Sequence, residues 1–396
     1  MNAIPSEVVE LIIDQLADHR GPGVGVQFDR RPLHRCSLVA KAWTARARFH
    51  GFASAEISMG KVRGKHCGTR FLGLLASPHA TFIASLVYVK LYHLHDEVGT
   101  PDMPLQILRQ MEARGVRLQR LHIWSKHLFE IDNTPLLSNP IASSIIDLEI
   151  FLETCMMRLS SLLDFTQSFP RLERLAIISN AAHQSLDTDL GERRFPALRS
   201  LTSEPLQVLK IFLASDVMPQ LTTLGLVEMG YDWSMWSILN NALCGVPPEN
   251  LNIVTLDLKD IFLQSFRTPD LKVFRHLRNV HLTLTELSLL PGQLIRLLGL
   301  LPSNLLEALV ITPLMRGPCP YTETTARRWR NVDALLSDAS AWPALKRIRI
   351  SLGGIVAERH YFRDAPTWGS SAVVFERDLR RDLDGCVGRG LLEVDF

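Results

Sequence analysis

Two short stretches decide the fold: LQRLHIW, Leu118 to Trp124, and IIDLEIF, Ile145 to Phe151. Each carries an apolar-x-x-apolar-x-apolar core and ends in period-two alternation. Successive side chains of a strand leave on opposite faces, so Leu121 and Ile123 share one face while Arg120, His122 and Trp124 share the other. The same core recurs ten times, starting at Leu86, Leu118, Ile145, Leu172, Leu198, Leu221, Ile253, Leu277, Leu306 and Leu345, at spacings of 23 to 39 residues. The copy at Leu198 is the weakest, because Ser203 takes its last apolar place. Between copies the apolar spacing changes to three and four. In PLQILRQMEARG, Pro104 suits a first helical turn and Gly115 a carboxyl-terminal cap. Further helices are expected over 154–168, 205–215, 233–244, 292–301 and 322–337. One strand and one helix cannot bury their apolar faces alone, so neighbouring units must stack. The predicted fold class is α/β: a solenoid with parallel strands on the concave side and helices on the convex side.

Composition narrows the function. With 46% hydrophobic and 21% charged residues, the chain of 396 residues buries a core and is not a disordered polymer. Lys and Arg number 43 against 41 Asp and Glu, a net charge of +2 that gives no field suited to nucleic acid or an acidic membrane. The longest apolar run, Leu287 to Leu301, is interrupted by Pro291, Gly292, Gln293 and Arg296, which excludes a membrane span there. Glu7, Glu10 and Asp14 give the amino terminus the wrong charge order for a signal peptide, so the expectation is an intracellular protein, cytoplasmic, nuclear or both. The six cysteines stand singly, without a metal or redox spacing.

Signals for catalysis are weak. GPGVGV, starting at Gly21, follows a helical stretch and lacks the spacing that brings backbone amides to a pyrophosphate. No phosphate loop, zinc-protease helix or nucleophile elbow occurs. His93 and His95 have no third metal ligand nearby in sequence, and RRWR, Arg327 to Arg330, reads as an exposed helical stripe with Trp329 turned inward. The expectation is a protein with no catalytic residues, metal or cofactor, and with no nucleic-acid or membrane partner.

The first fifty residues differ in kind. IPSEVVELIIDQL places Val8, Val9, Ile12, Ile13 and Leu16 along a helical stripe, with Glu7 and Glu10 near the positive helix end. After a glycine-rich connection, Gly21 to Pro32, LHRCSLVAKAWTARARFHGF gives a second helical stretch with Leu38, Val39, Ala42 and Trp43 on neighbouring turns. Ile4-Pro5, the acidic-apolar helix and the CSLVAKAW cluster resemble an F-box over about residues 2 to 50. The chain departs from that family's usual opening Leu-Pro, and its connection is longer. The LxxLxL run resembles irregular leucine-rich repeats over about 86 to 352, without the asparagine ladder; Leu128 and Met229 lie where a ladder residue might be sought.

These resemblances imply four divisions: an F-box-like helical domain over 1–53, a connecting segment over 54–85, the repeat solenoid over 86–352 and a carboxyl-terminal cap over 353–396. FERDLRRDLDG, Phe375 to Gly385, reads as the capping helix with Phe375, Leu379 and Leu383 inward. They also imply a subunit that docks on the Skp-type adaptor of a cullin-RING ubiquitin ligase, and through it on the cullin scaffold, while its repeats hold an unidentified protein substrate. Adaptor contacts then fall on Ile4, Pro5, Val8, Val9, Ile12, Leu38 and Val39, with Trp43 assigned to the domain's own core. Substrate contacts fall on the strand positions between buried leucines, with Arg120, His122, Trp124, Asp257, Lys259 and His281 as candidates. Asp147, Glu149, Phe151, Asn279, Arg347 and Arg349 share that face. A repeat scaffold without ligase recruitment and an α/β enzyme are the rival readings.

Overall fold

A computed structural model describes residues 8–10, 13, 35, 38, 41–59, 61–62, 65–78, 80–92, 103–125, 139–152, 159–179, 194–203, 218–227, 252–259, 271–284, 290–302, 304–313, 323–351 and 376–395. The chain divides into two compact units, Met1–Ala197 and Leu198–Phe396.

In the first unit, helix α1 (Lys41–Gly51) leads into strand β1 (Ser54–Ser58). A short antiparallel pair, β2 (Lys61–Val62) and β3 (Lys65–His66), precedes α2 (Cys67–Ala76). Then follow β4 (Tyr88–Tyr92), α3 (Met103–Ala113), β5 (Arg120–Ser125), α4 (Asn139–Ala142), β6 (Asp147–Leu152), α5 (Leu159–Gln167) and β7 (Arg174–Ser179). Strands β1, β4, β5, β6 and β7 pair in parallel in that order.

In the second unit, β8 (Ser200–Ser203), β9 (Thr223–Val227), β10 (Thr255–Lys259), β11 (Asn279–Leu284), β12 (Ala308–Pro313), β13 (Arg347–Ser351) and β14 (Leu392–Asp395) also pair in parallel, each with the next. Helices α6 (Leu290–Leu298), α7 (Glu323–Leu336) and α8 (Asp384–Gly388) lie between its later strands in the chain.

One backbone motif fixes the registers from β1 to β7 and from β8 to β13, whereas at β14 the Ile348 N–H donates to the Leu391 carbonyl at 2.7 Å. The carbonyl of the second residue in a core accepts the amides of the second and third residues of the next core. Thus Val87 accepts from Gln119 and Arg120, Gln119 from Ile146 and Asp147, and Ile146 from Glu173 and Arg174. The second unit repeats it at Arg199, Thr222, Val254, Arg278 and Glu307. A carbonyl has two lone pairs, so one acceptor satisfies two amides that would otherwise be buried without partners. Ala53 does the same for Val87 and Tyr88, which makes FASAEI, Phe52 to Ile57, an eleventh core. The sheet therefore starts inside the stretch read from sequence as a connecting segment. Small, half-polar residues hide this copy from a leucine count. At the other end, β14 adds a strand from within the expected cap.

The apolar positions of each core are the hydrophobic centre. Leu121, Ile123, Leu148, Ile150, Leu175 and Ile177 are buried, as are Leu224, Leu256, Leu258, Val280, Leu282, Leu309 and Ile311. Full burial of such a side chain contributes about 1.5–3 kcal/mol. Helix α3 sends Leu105, Ile107, Leu108 and Met111 inward. It ends where the sequence places its cap: Gly115 has φ +69°, its N–H meets the Glu112 carbonyl at 2.8 Å, and the Val116 N–H meets that of Met111 at 3.1 Å. Ser203, in the weak copy, is fully buried in the place of a leucine and β8 has only four residues. The Ser144 hydroxyl ties two successive cores by donating to the Leu118 carbonyl at 2.8 Å, and Leu128 and Met229 lie outside the described residues.

The carboxyl-terminal helix expected from FERDLRRDLDG is present over 376–382, with Leu379 and Leu383 buried; Phe375 lies outside the described residues. Trp329 is buried on α7 between exposed arginines, and Arg330 pairs with Glu323. The helices expected over 205–215 and 233–244 lie outside the described residues. Asp333 of α7 caps α8, accepting the amides of Gly385 at 2.9 Å and Cys386 at 2.8 Å. A Cβ at position 385 would lie 2.8 Å from Asp333 Oδ2, so this contact requires glycine. Asp333→Ala should therefore cost about 1–2 kcal/mol, seen as a lower melting temperature with faster amide exchange at Gly385 and Cys386; unchanged exchange there would remove the cap from this account.

Candidate protein-recognition surface

Alternation delivers the polar half of each strand to one face, and parallel register aligns these residues into rows. In the first unit the first row is Ser54, Tyr88, Arg120, Asp147 and Arg174. The second is Glu56, Lys90, His122, Glu149 and Ala176, and the third is Ser58, Tyr92, Trp124, Phe151 and Ile178. Position along the strand sorts chemistry: two charged rows and one mainly aromatic row.

The charged rows are internally matched. Asp147 lies 3.0 Å from Arg174 Nε and 3.8 Å from Arg120 Nε. His122 Nδ1 is 3.2 Å from Glu149 Oε2, with His122 only 13% exposed. In the aromatic row, the Trp124 and Phe151 rings tilt together at 4.5 Å, and Lys90 Nζ lies 5.9 Å from the Tyr92 ring centroid. Phe151 is buried although it sits on the polar face, and so is Ser58.

Three polar atoms on this face are buried without a hydrogen-bond partner: Ser58 Oγ, His122 Nε2 and Trp124 Nε1. A buried polar group left so costs about 1–3 kcal/mol, and most buried groups avoid it. The tyrosines report the same low-dielectric surroundings. Burial, then the charges of Glu149, Glu56 and Asp147, push the Tyr88 hydroxyl up to about 12. Burial and Glu56 raise Tyr92 as well.

The second unit presents a different face. Its rows carry Ser200, Thr223, Thr255 and Asn279, then Thr202, Gly225, Asp257, His281 and Val310. Asn279 Nδ2 donates to Thr255 Oγ1 at 3.3 Å. Thr202 reaches across Gly225, where a Cβ would lie 2.3 Å from the threonine hydroxyl, so the close approach of these strands needs glycine. Asp257 and His281 are register neighbours, and Lys259 aligns with Thr283. At β14, Arg349 grips Asp395 with two nitrogens at 3.0 and 2.6 Å, and Arg347 Nε meets Glu393 at 2.8 Å. The Arg349 hydrogen bonds hold the Asp395 carboxyl below the usual carboxylate range.

The sequence candidates thus fall on two faces. Arg120, His122 and Trp124 share the first unit's face; Asp257, Lys259 and His281 occupy neighbouring positions in the second. Sequence reasoning missed Ser58, Tyr88, Lys90 and Tyr92. The alternation in LVYVKLY, Leu86 to Tyr92, could have found the last three; Ser58 needed the hidden eleventh core.

Among the amino-terminal candidates, Ile4, Pro5, Ile12 and Val39 lie outside the described residues. Val8 is helical and 44% exposed, and Leu38 is helical and 72% exposed. Val9 and Ile13 are buried. Trp43 is half-buried on α1, less enclosed than a core residue.

No family model matches the chain, and no curated protein matches it. Among solved structures, it is similar to a Bacteroides fragilis protein whose crystal structure was a structural-genomics target. The identity is 16% and the TM-score 0.34, over 78% of this chain and 72% of that one. Among the described residues no cluster of three or more His, Cys, Asp or Glu forms a metal site, and no helix is long and apolar enough to cross a membrane.

The raised Tyr88 pKa has a defined pH consequence. The fold favours the neutral phenol, so its stabilising contribution is whole below the unfolded value near 10 and is lost as pH rises to about 12. Tyr88→Phe should flatten the fall in stability across that window in denaturant titrations; an identical alkaline slope would show that Tyr88 titrates normally.

Proposed function

We propose that this protein is a non-catalytic recognition subunit: its amino-terminal helical segment docks on the Skp-type adaptor of a cullin-RING ubiquitin ligase, and its repeats present a protein target. The physical basis is division of labour. An amphipathic helical patch supplies a small apolar docking surface, where a few anchors dominate affinity. Parallel strands supply a separate face for a second protein.

The observation that supports this reading best is Leu38. A helical leucine 72% exposed, in the sequence segment that resembles the second helix of an F-box, is an apolar anchor turned toward solvent. Val8, 44% exposed in the first helical segment, offers a second such side chain, while Val9 and Ile13 are buried. The matched ion pairs and aromatic row of the first unit suit protein contact, in which Trp, Tyr and Arg carry most interface energy. The leucine-rich-repeat relationship belongs to the same proposal; its support is one short parallel strand per core with a common register.

Leu38→Asp separates docking from folding. At an exposed site the change should alter stability by no more than about 0.5 kcal/mol, whereas loss of an apolar anchor costs about 2 kcal/mol of binding, close to thirtyfold. Purified wild type and variant would be compared for capture of the Skp-type adaptor, with thermal melts alongside. Equal capture by a folded variant would leave a repeat scaffold without ligase recruitment.

A further inference from the structure

We infer that the surface built by Arg46, Phe49, His50 and Phe52, on α1 and just past its end, docks an acidic peptide segment of a partner protein, one with aliphatic or aromatic side chains among its carboxylates. The inference is independent of adaptor docking, which is argued from Leu38 and Val8.

Three observations converge. First, exposed apolar surface is concentrated in this part of the chain. Among the described residues seven large apolar side chains are exposed, and five of them, Val8, Leu38, Phe49, Phe52 and Leu74, precede residue 75. Phe49 is 43% and Phe52 42% exposed, whereas Ala47 on the same helix is buried. The Phe52 ring tilts against Phe82 of the 3-10 turn Thr81–Ser85 at 5.4 Å, which holds it in place at the surface. Neighbouring exposed phenylalanines mark a site of interaction, because water gains nothing from either ring.

Second, the charge around these rings has one sign. Lys41 to Ala76 contains seven lysines and arginines against one carboxylate, Glu56, while the rest of the chain contains 36 against 40. Glu56 stands apart from the helix, on β1 in register with Lys90. At the rings themselves, Arg46 Cζ lies 5.7 Å from the Phe49 centroid and the His50 ring meets Phe49 edge-on at 5.3 Å. A field of this sign attracts carboxylates and repels a basic partner.

Third, the arrangement selects a protein segment among anions. Arg and Phe are residues that protein interfaces favour, and a guanidinium matches a carboxylate with two parallel hydrogen bonds. A membrane-surface helix keeps its cations on the face opposite its aromatic residues, yet Arg46 stacks on the exposed Phe49. A long nucleic acid meets the net negative remainder of the chain as well as this basic stretch, whereas a short acidic segment matches the stretch alone.

The test is an immobilised array of twelve-residue peptides in which Leu and Phe alternate with acidic, basic or uncharged polar residues, probed with the full chain. Selected peptides are then measured by fluorescence anisotropy, beside a twelve-nucleotide oligouridine and phosphatidylserine vesicles. Acidic peptides should be selected. Phe49→Ala, Phe52→Ala and Arg46→Gln should each weaken them at least about fivefold, with Arg46→Lys retaining most of the affinity and Thr283→Ala, in the second unit, unchanged. Raising salt from about 50 to about 300 mM should weaken binding about tenfold. Thermal melts of the two phenylalanine variants should match wild type, since both rings are exposed. Selection of basic or uncharged peptides, tighter binding of oligouridine or vesicles, equal affinity of Phe49→Ala and wild type, or failure to select any peptide would each overturn the inference. Leu38→Asp should bind the acidic peptides as wild type does; losing them would merge this surface with the adaptor site and overturn its independence. Adaptor capture by wild type and Leu38→Asp separately decides the docking proposal.

Discussion

A single carbonyl shared by two amides governs this chain. From β1 to β7 and from β8 to β13 the second residue of one core accepts from the second and third residues of the next, at Ala53, Val87, Gln119, Ile146, Arg199, Thr222, Val254, Arg278 and Glu307. The alternative is a pair of buried amides without partners, which is too costly to recur at every repeat. Because the acceptor is backbone, no particular side chain is required there. That frees sequence at the junction and tolerates cores spaced from 23 to 39 residues apart.

The surface follows from the same constraint. Once register is identical from strand to strand, side-chain position within the core becomes row number on the sheet. Leucine and isoleucine in the fourth and sixth places turn inward, and whatever occupies the third and fifth places is displayed in line with its neighbours. The first unit uses those places for Arg, Asp, His and Glu, then closes the row beyond them with Tyr92, Trp124 and Phe151. The second unit begins them with serine, threonine and a glycine made necessary by Thr202, and continues with Asp257, Asn279 and His281 before Arg347 and Arg349. One backbone rule thus builds two faces of different chemistry.

The strands were readable wherever a large apolar residue filled each core place, as in Leu118-Leu121-Ile123 or Leu277-Val280-Leu282. Reading weakened where backbone geometry carried the repeat. FASAEI at Phe52 uses alanine in place of leucine, and nothing in its composition shows that Ala53 supplies the carbonyl for Val87 and Tyr88. The helix end at Gly115 was legible because a left-handed residue favours glycine, whereas the Asp333 cap on α8 was not, since it joins residues 52 positions apart. The candidate face was half legible. Period two placed Arg120, His122 and Trp124 together, but which polar atoms lack partners depends on packing, as Ser58 shows. At the amino terminus, periodicity found the helical stripe and could not distinguish exposed Val8 from buried Val9 beside it.

The proposed function rests on two separable surfaces, an apolar helical patch marked by Leu38 and a strand face built by register. The measurement that bears most directly on this account is light scattering coupled to size-exclusion chromatography of the full chain mixed with purified Skp-type adaptor. The account predicts a stable one-to-one complex whose mass is the sum of both chains. Separate elution of the two proteins at concentrations well above micromolar would contradict it.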